Sequence, residues 1–331
     1  METPSARLIS WHNATSTDND FPVNFDEEAS HPVFAYTCGG SPYQNANDNS
    51  ESPIVTGSAQ AYSPNNDVFY FGDQNYTMLR AYLPDVMQPW GDNLPIRMYT
   101  HVANLDNAFA ISPVNPAPET DMNDNNFNAQ FVVGNGLNTN YPFSDAGTVG
   151  HELAHIFTAY AANLIYANQS GGINEAYSDI TGKAYEDYVF RQYPWYGETW
   201  GGGLSIVLPT VEDKNSEYRH MNNPPLDGNS IDNLSKYVQG MNVHFSSGVF
   251  NKAFFLMVDG HGIDVVQGFK YFSYANINYW TPGTNFEHAS CGVIEAAIDM
   301  QQSEAVEGIK SSFEEVGVHC KVGFKQLKTP L

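Results

Sequence analysis

A chain of 331 residues with 42% hydrophobic and 14% aromatic side chains can bury a large core, which excludes a disordered polymer and suggests two domains or two lobes. Fourteen Lys and Arg stand against 37 Asp and Glu, a formal net charge of −23, so the surface repels nucleic acid and no basic patch marks a polyanion site. No apolar run reaches the roughly 18 residues of a membrane-spanning helix, and Met1-Glu2-Thr3-Pro4-Ser5 lacks the basic start and apolar stretch of a signal peptide.

Residues 1 to about 60 are rich in Asn, Ser, Asp and Pro and read as strands and long loops, with short apolar runs such as Val33-Phe34-Ala35-Tyr36. A helix is expected from about Asn66 to Leu83, carrying Val68, Phe69, Phe71, Met78, Leu79 and Tyr82. Leu94 to Val102 alternates like a strand, residues 111–128 read as an exposed loop, and Phe131-Val132-Val133 is a short strand ending at Gly134. After Gly147 the texture turns helical, with Val149, Leu153, Ile156, Phe157 and Tyr160 at helical spacing. A second helix carries Ile173, Ala176, Tyr177, Ile180, Ala184 and Tyr188 on one stripe, and Gly197 to Gly203 reads as a loop. Helical patterns return at Ser247–Asp259, Val265–Ala275, Phe286–Gln302 and Ser303–Glu315. The expectation is an α+β fold of two lobes: a β-rich N-terminal lobe over residues 1–150 and a mainly α-helical C-terminal lobe over residues 151–331, with a cleft between them.

The chemistry gathers at His151-Glu152-Leu153-Ala154-His155. Residues four apart share one face of a helix, so both imidazoles can close on one metal ion with Glu152 beside it. Zinc takes nitrogen and carboxylate ligands in a tetrahedral shell, and a catalytic site leaves the fourth position to water. Glu175 lies 20 residues after His155 and Asp179 four after Glu175, so both acids share a face of the second helix. The assignment is His151, His155 and Glu175 as ligands of one Zn²⁺, with Asp179 fixing the outer nitrogen of His151. Glu152 then remains as general base and acid. The cysteines are Cys38, Cys291 and Cys320, which allows at most one internal bridge.

These residues carry a resemblance. The chain resembles the thermolysin family of zinc metalloendopeptidases, in its pseudolysin- and vibriolysin-like secreted branch. The similarity is densest at His151–Asp179, at Asp227-Gly228-Asn229-Ser230-Ile231-Asp232-Asn233 and at Val243-His244-Phe245-Ser246-Ser247-Gly248. It implies that His244 and Tyr166 stabilise the oxyanion, that Arg219 binds a substrate carbonyl, and that Asn107 and Ala108 hold the substrate backbone as an added strand. It places Phe143 and Tyr218 in the pocket past the cleaved bond, which predicts a hydrophobic but narrower pocket. It implies a Cys291–Cys320 disulfide and a free Cys38, hence secretion to the extracellular space. It implies protein and peptide substrates, an inhibitory pro-segment and a monomer.

The chain also departs from the family's pattern. Ala110 stands in place of a tryptophan, and the acid that orients the stabilising histidine is replaced, with Asn242 and Gln239 in its positions and Asp232 or an amide carbonyl as substitutes. Gly147 and Lys183 replace two carboxylates of the family's Ca²⁺ site, so a reshaped or degraded site is expected, with Asp145, Glu186 and Asp187 as remnants. The expected function is a secreted zinc endopeptidase. The rivals are a zinc aminopeptidase, whose Gly-x-Met-Glu-Asn amine anchor is missing, and a catalytically silent peptide-binding homologue.

Overall fold

The computed structural model describes residues 9–11, 36–37, 64–83, 96–102, 105–111, 129–134, 136, 140, 142–191, 200–202 and 219–321. Its N-terminal half holds a mixed sheet and one helix. Strand β1 (Ile9–Trp11) and strand β2 (Tyr36–Thr37) both run parallel to β3 (Ile96–Val102), β3 runs parallel to β5 (Ala129–Gly134), and β4 (Ala108–Ile111) closes the described sheet antiparallel to β5. Helix α1 (Pro64–Tyr82) packs on this sheet and on the helices that follow. The alternation of β4, with Ala108 buried and Phe109 and Ile111 exposed, turns its apolar small residues inward and leaves its outer face to solvent.

The second half is helical: α2 (Ala146–Tyr160), α3 (Asn168–Phe190), a two-strand ladder of β6 (Gly201–Gly202) with β7 (Arg219–His220), then α4 (Val243–Ser246), α5 (Gly248–Phe255), α6 (Val265–Asn278), α7 (Phe286–Asp299) and α8 (Val306–Glu315). The fold is α+β, as the sequence leads one to expect. The helix starts are written in capping residues: Asp145, Asn242, Asp264 and Asn285 each accept a backbone N–H from the first turn of α2, α4, α6 and α7.

Two expectations are corrected in detail. The glycine loop around residue 200 contains the strand Gly201–Gly202, whose pairing is made by backbone alone and leaves no side-chain pattern to read. The helix expected from Ser247 is α5 from Gly248, preceded by the short α4 that Asn242 caps, and it ends in a π turn over Leu256–Gly260. Of the remaining expectations, Phe69, Cys38, Tyr218, residues 112–128 and most of residues 1–60 lie outside the residues whose surroundings are described.

Helix α3 is the axis of the molecule. It is buried from Ser170 to Tyr185 except at Asp179, and packs against α2, α4, α5, α6 and α7. Tyr188, placed on its apolar stripe, is only half-buried because it lies beyond that stretch, in the last turns of α3. Around it sits an aromatic core in which Phe250 packs against Phe286, at 5.2 Å between ring centroids, and against Phe313, at 4.9 Å. The α2–α3 crossing is close because it is lined by glycine: a Cβ at Gly182 would lie 2.6 Å from Gly147 O, and one at Gly150 3.1 Å from Gly182 Cα.

Candidate metal centre and cleft

Helix α2 presents His151 and His155 one turn apart, and α3 presents Glu175 opposite them. His155 Nε2 lies 3.1 Å from His151 Nε2 and 3.4 Å from Glu175 Oε1, and His151 Nε2 lies 3.7 Å from Glu175 Oε2. A tetrahedral ion with bonds of about 2.0–2.1 Å sets its ligands about 3.4 Å apart. The imidazole nitrogens approach different oxygens of the carboxylate, and one ligand atom from each residue lies within 4.8 Å of the others, so two imidazoles and a carboxylate fit Zn²⁺ in donor type and converge on one point. Among the described residues this is the only group of three or more His, Cys, Asp or Glu with such convergence.

The outer nitrogens of both rings are held. His151 Nδ1 meets Asp179 Oδ1 at 2.8 Å, and His155 Nδ1 donates to Asn174 Oδ1 at 2.7 Å, with Ser178 Oγ at 3.2 Å. A proton fixed on each Nδ1 leaves both Nε2 lone pairs facing the ion. Burial pulls the His155 pKa down to about 4, whereas for His151 the same burial is overcome by Asp179, then Glu175, and the pKa rises to about 9. Burial opposes ionisation of Asp179, yet Arg219, His151 and Asn251 hold its carboxyl well below the usual range. Its Oδ2 accepts from Arg219 Nε at 3.1 Å and from Asn251 Nδ2 at 2.7 Å. Arg219 also donates from Nη2 to Glu175 Oε2 at 3.0 Å.

Glu152 is 6% exposed beside this cluster. Burial pushes its pKa up to about 7, opposed by His151 and raised further by Glu175, while a hydrogen bond from the Ala110 backbone favours the carboxylate. A carboxyl poised near neutrality suits a group that must take and return a proton. Tyr166, half exposed, donates its hydroxyl to Glu175 Oε1 and lies 3.2 Å from His244 Nε2. Burial and the Glu175 charge keep that hydroxyl protonated far above its ordinary range.

His244 rests on the first turn of α4, whose approach to α3 depends on Gly171 and Gly172. Cβ atoms there would sit 2.3 Å from Val243 Cγ1 and 2.5 Å from Ser246 Oγ. The residue that orients the ring is Asn242: its Oδ1 accepts from His244 Nδ1 at 2.9 Å while capping the helix through His244 N. Of the other candidates for that role, Asp232 is paired with Lys236, and Gln239 donates to Asn168 Oδ1 at 3.0 Å. Burial lowers the His244 pKa, with Glu175 acting in the opposite direction.

His151, Glu152, His155, Tyr166, Asn174, Glu175, Asp179, Arg219 and His244 open onto one cleft of about 800 Å³, walled by Asn107, Ala108 at the start of β4, Phe143, Met221 and Pro282. Phe143 is buried in the wall and Asn107 is exposed at the rim. The cleft reaches Lys183, Glu186 and Trp200 at the far side of Gly147. There Glu186 and Asp145 converge on Gly147, whose added Cβ would lie 2.5 Å from Glu186 Oε1 and 3.3 Å from Asp145 Oδ1. Asp187, expected beside them, instead pairs with Arg191. The Cys291–Cys320 disulfide is formed. Sequence reasoning missed Asn174 and Asn251 altogether; their signal is positional, the one adjoining Glu175 and the other seven residues after His244, each a single amide in a chain rich in them.

The α-helical domain of thermolysin metallopeptidases matches residues 162–318. Over 291 residues the chain is 35% identical to a neutral protease of Vibrio proteolyticus, covering 88% of this chain and 41% of that protein. It is 39% identical over 162 residues to a zinc metalloprotease of Helicobacter pylori, covering 49% of this chain and 58% of that one. The chain thus spans about two fifths of the length of its Vibrio relatives. The solved precursor of protealysin, a metalloproteinase from Serratia proteamaculans, superposes with a TM-score of 0.62 at 21% identity over 80% of this chain and 82% of that one, which speaks for the fold. Over residues 162–318 the chain matches the α-helical domain of the thermolysin metallopeptidases, and over most of its length it is similar to the Vibrio metalloproteases.

Proposed function

We propose that this protein is a zinc endopeptidase that hydrolyses internal bonds of proteins and peptides. The observation that carries the reading is the convergence of His151, His155 and Glu175 on one point with the buried Glu152 carboxyl alongside. Zinc, when bound, draws charge from a carbonyl oxygen and lowers the pKa of a water from roughly 15.7 to near 7. Glu152 takes the proton of the attacking water and hands it to the leaving nitrogen. Tyr166 donates its hydroxyl hydrogen to the oxyanion, and His244 adds a second donor when it carries a proton at Nε2. Arg219, at the cleft wall, suits a substrate carbonyl past the cut, and Asn107 and Ala108 offer the edge of β4 to the peptide backbone. Phe143 supports a hydrophobic side chain just after the cut; Tyr218 has the same expected role.

The working division is two lobes that meet near residue 150. A pro-segment is part of the reading, in keeping with the precursor form of the protealysin neighbour. The disulfide favours release to an oxidising, extracellular compartment, and no helix of the described residues is long and apolar enough to cross a membrane. A monomer is the simplest assembly for one self-contained cleft.

The test joins metal content to hydrolysis. One zinc per chain and casein cleavage that a chelator abolishes and zinc restores are expected, with N-terminally blocked peptides cut as well as free ones. Cleavage that survives chelation would discard the metal reading. Cleavage of unblocked peptides alone would turn the assignment to an aminopeptidase. Zinc bound without any hydrolysis would leave a silent binding protein.

A further inference from the structure

Asp179 is the hinge between the metal centre and the rest of the molecule. One of its oxygens, Oδ1, holds His151, and the other, Oδ2, is shared by two donors of different character. Arg219 is divided between Asp179 and the ligand Glu175, and it lines the cleft, where an incoming molecule can draw it away. Asn251 is 2% exposed in the middle of α5, is not part of the cleft wall, and makes the shorter contact at 2.7 Å. Its own Oδ1 has no partner among the described residues. As packing, an amide that leaves its oxygen unmet in a core is a poor choice. What Asn251 delivers is a single N–H aimed at Asp179.

We propose that Asn251 is a positioning residue of the zinc centre: its amide N–H fixes Asp179, and through Asp179 it sets the orientation and tautomer of His151. Two donors on one oxygen then have separate tasks. Arg219 can exchange partners at the cleft, because Asn251 keeps the carboxylate on the imidazole when the guanidinium leaves. Outer partners of metal-bound histidines are worth roughly 10–100-fold in metal affinity. Asn251 extends that chain by one residue, from α2 through α3 to α5.

The proposal rests on the zinc assignment above and not on the peptidase reaction, so the test reads metal affinity without a substrate. The zinc Kd of the full chain is measured by competition with a chromophoric chelator for wild type, Asn251→Ala, Asn251→Leu, Asp179→Asn and the Asp179→Asn, Asn251→Leu pair. Leucine keeps the volume and removes the unmet oxygen, so it preserves the folded metal-free protein if alanine does not. A zinc Kd raised about 10–100-fold is expected for either Asn251 variant, with the metal-free Tm of the leucine variant at or above that of wild type. In the Asp179→Asn background the second change is expected to add nothing, because the two act as one unit. The ¹⁵N resonance of His151 Nδ1 should report a weakened hydrogen bond in the leucine variant. A zinc Kd within threefold of wild type, or losses that multiply independently in the pair, would overturn the proposal and leave Asn251 a packing residue. A chain that binds zinc normally yet cleaves nothing would overturn the peptidase reading and leave this one standing.

Discussion

Glu152 and Asn242 show how much rests on single side chains. Glu152 adjoins a ligand in sequence but turns its carboxyl to the cleft, where burial holds its pKa near 7. Glu152→Gln keeps the shape and removes the base; kcat is expected to fall by at least about 10²–10⁴, with zinc stoichiometry unchanged on metal analysis. Asn242 grips the His244 ring and caps α4 with the same oxygen. Asn242→Ala should lower kcat by about tenfold or more by letting the donor stray, while the zinc Kd holds; steady-state kinetics beside a chelator titration would separate the two. The ligands were legible because helical spacing of i, i+4 dictates a shared face, and Glu175 with Asp179 repeats that spacing. Asn174, Asn251 and the role of Asn242 were not, because an amide becomes a partner only through contacts between segments far apart in the chain. His155 and Asn174 are 19 residues apart, and Asp179 and Asn251 are 72.

Helices of this protein approach each other where glycine permits, and the two closest approaches serve different halves of the site. Gly182 sets α3 against the backbone of α2, the pair that divides the metal ligands. Gly172 sets α3 against α4, which carries His244. An added methyl in a full interface costs about 1–3 kcal/mol. Gly182→Ala is expected to weaken zinc binding, since backbone cannot yield; Gly172→Ala is expected to spare zinc and lower kcat. Equal effects of both on zinc would deny this division. Helix existence and order were readable from apolar periodicity; these crossing distances were not, since a glycine in a sequence does not name what it approaches.

The same α2–α3 seam holds a titratable cluster. Burial raises the Glu186 pKa to about 8, with Asp145 adding to it and Lys183 opposing. Burial likewise raises Asp67 to about 7 against a hydrogen bond from Ser144, and raises Asp145 as well. A raised carboxyl binds its proton more tightly in the folded than in the unfolded chain, so its stabilisation is complete below about pH 4.5 and is lost as pH rises through about 8. The Tm of the wild type should therefore fall between pH 5 and 8.5 by more than that of Glu186→Gln, the extra loss corresponding to a folding free energy on the order of a few kcal/mol. Parallel slopes would remove Glu186 from the account. Calcium at millimolar concentration should leave Tm unchanged. Two converging carboxylates beside an ammonium fall short of the six to eight oxygens the ion takes.

At the scale of the whole molecule, the α+β character and the chain order of the elements followed from patterning. The burial of α3 on every side did not, because an amphipathic stripe presumes one solvent face and the central helix has almost none. The outer wall of that arrangement is α7 and α8, and the Cys291–Cys320 bond ties α7 to the segment that follows α8, across 29 residues. Closing a loop of that length stabilises by about 3–4 kcal/mol in the chain-entropy account. What the bond secures can be traced inward: α8 places Phe313 on Phe250, and Phe250 precedes Asn251 in α5. The metal ligands themselves stand on α2 and α3, which carry neither cysteine. Reduction should therefore lower Tm by several degrees and release hydrogen-exchange protection first in α7 and α8. The zinc Kd at 25 °C should move by less than the Asn251→Leu change moves it. If reduction instead strips zinc at once, with α7 and α8 still protected, the C-terminal helices are not the unit that the bond holds, and the inward path through Phe313 and Phe250 must be abandoned.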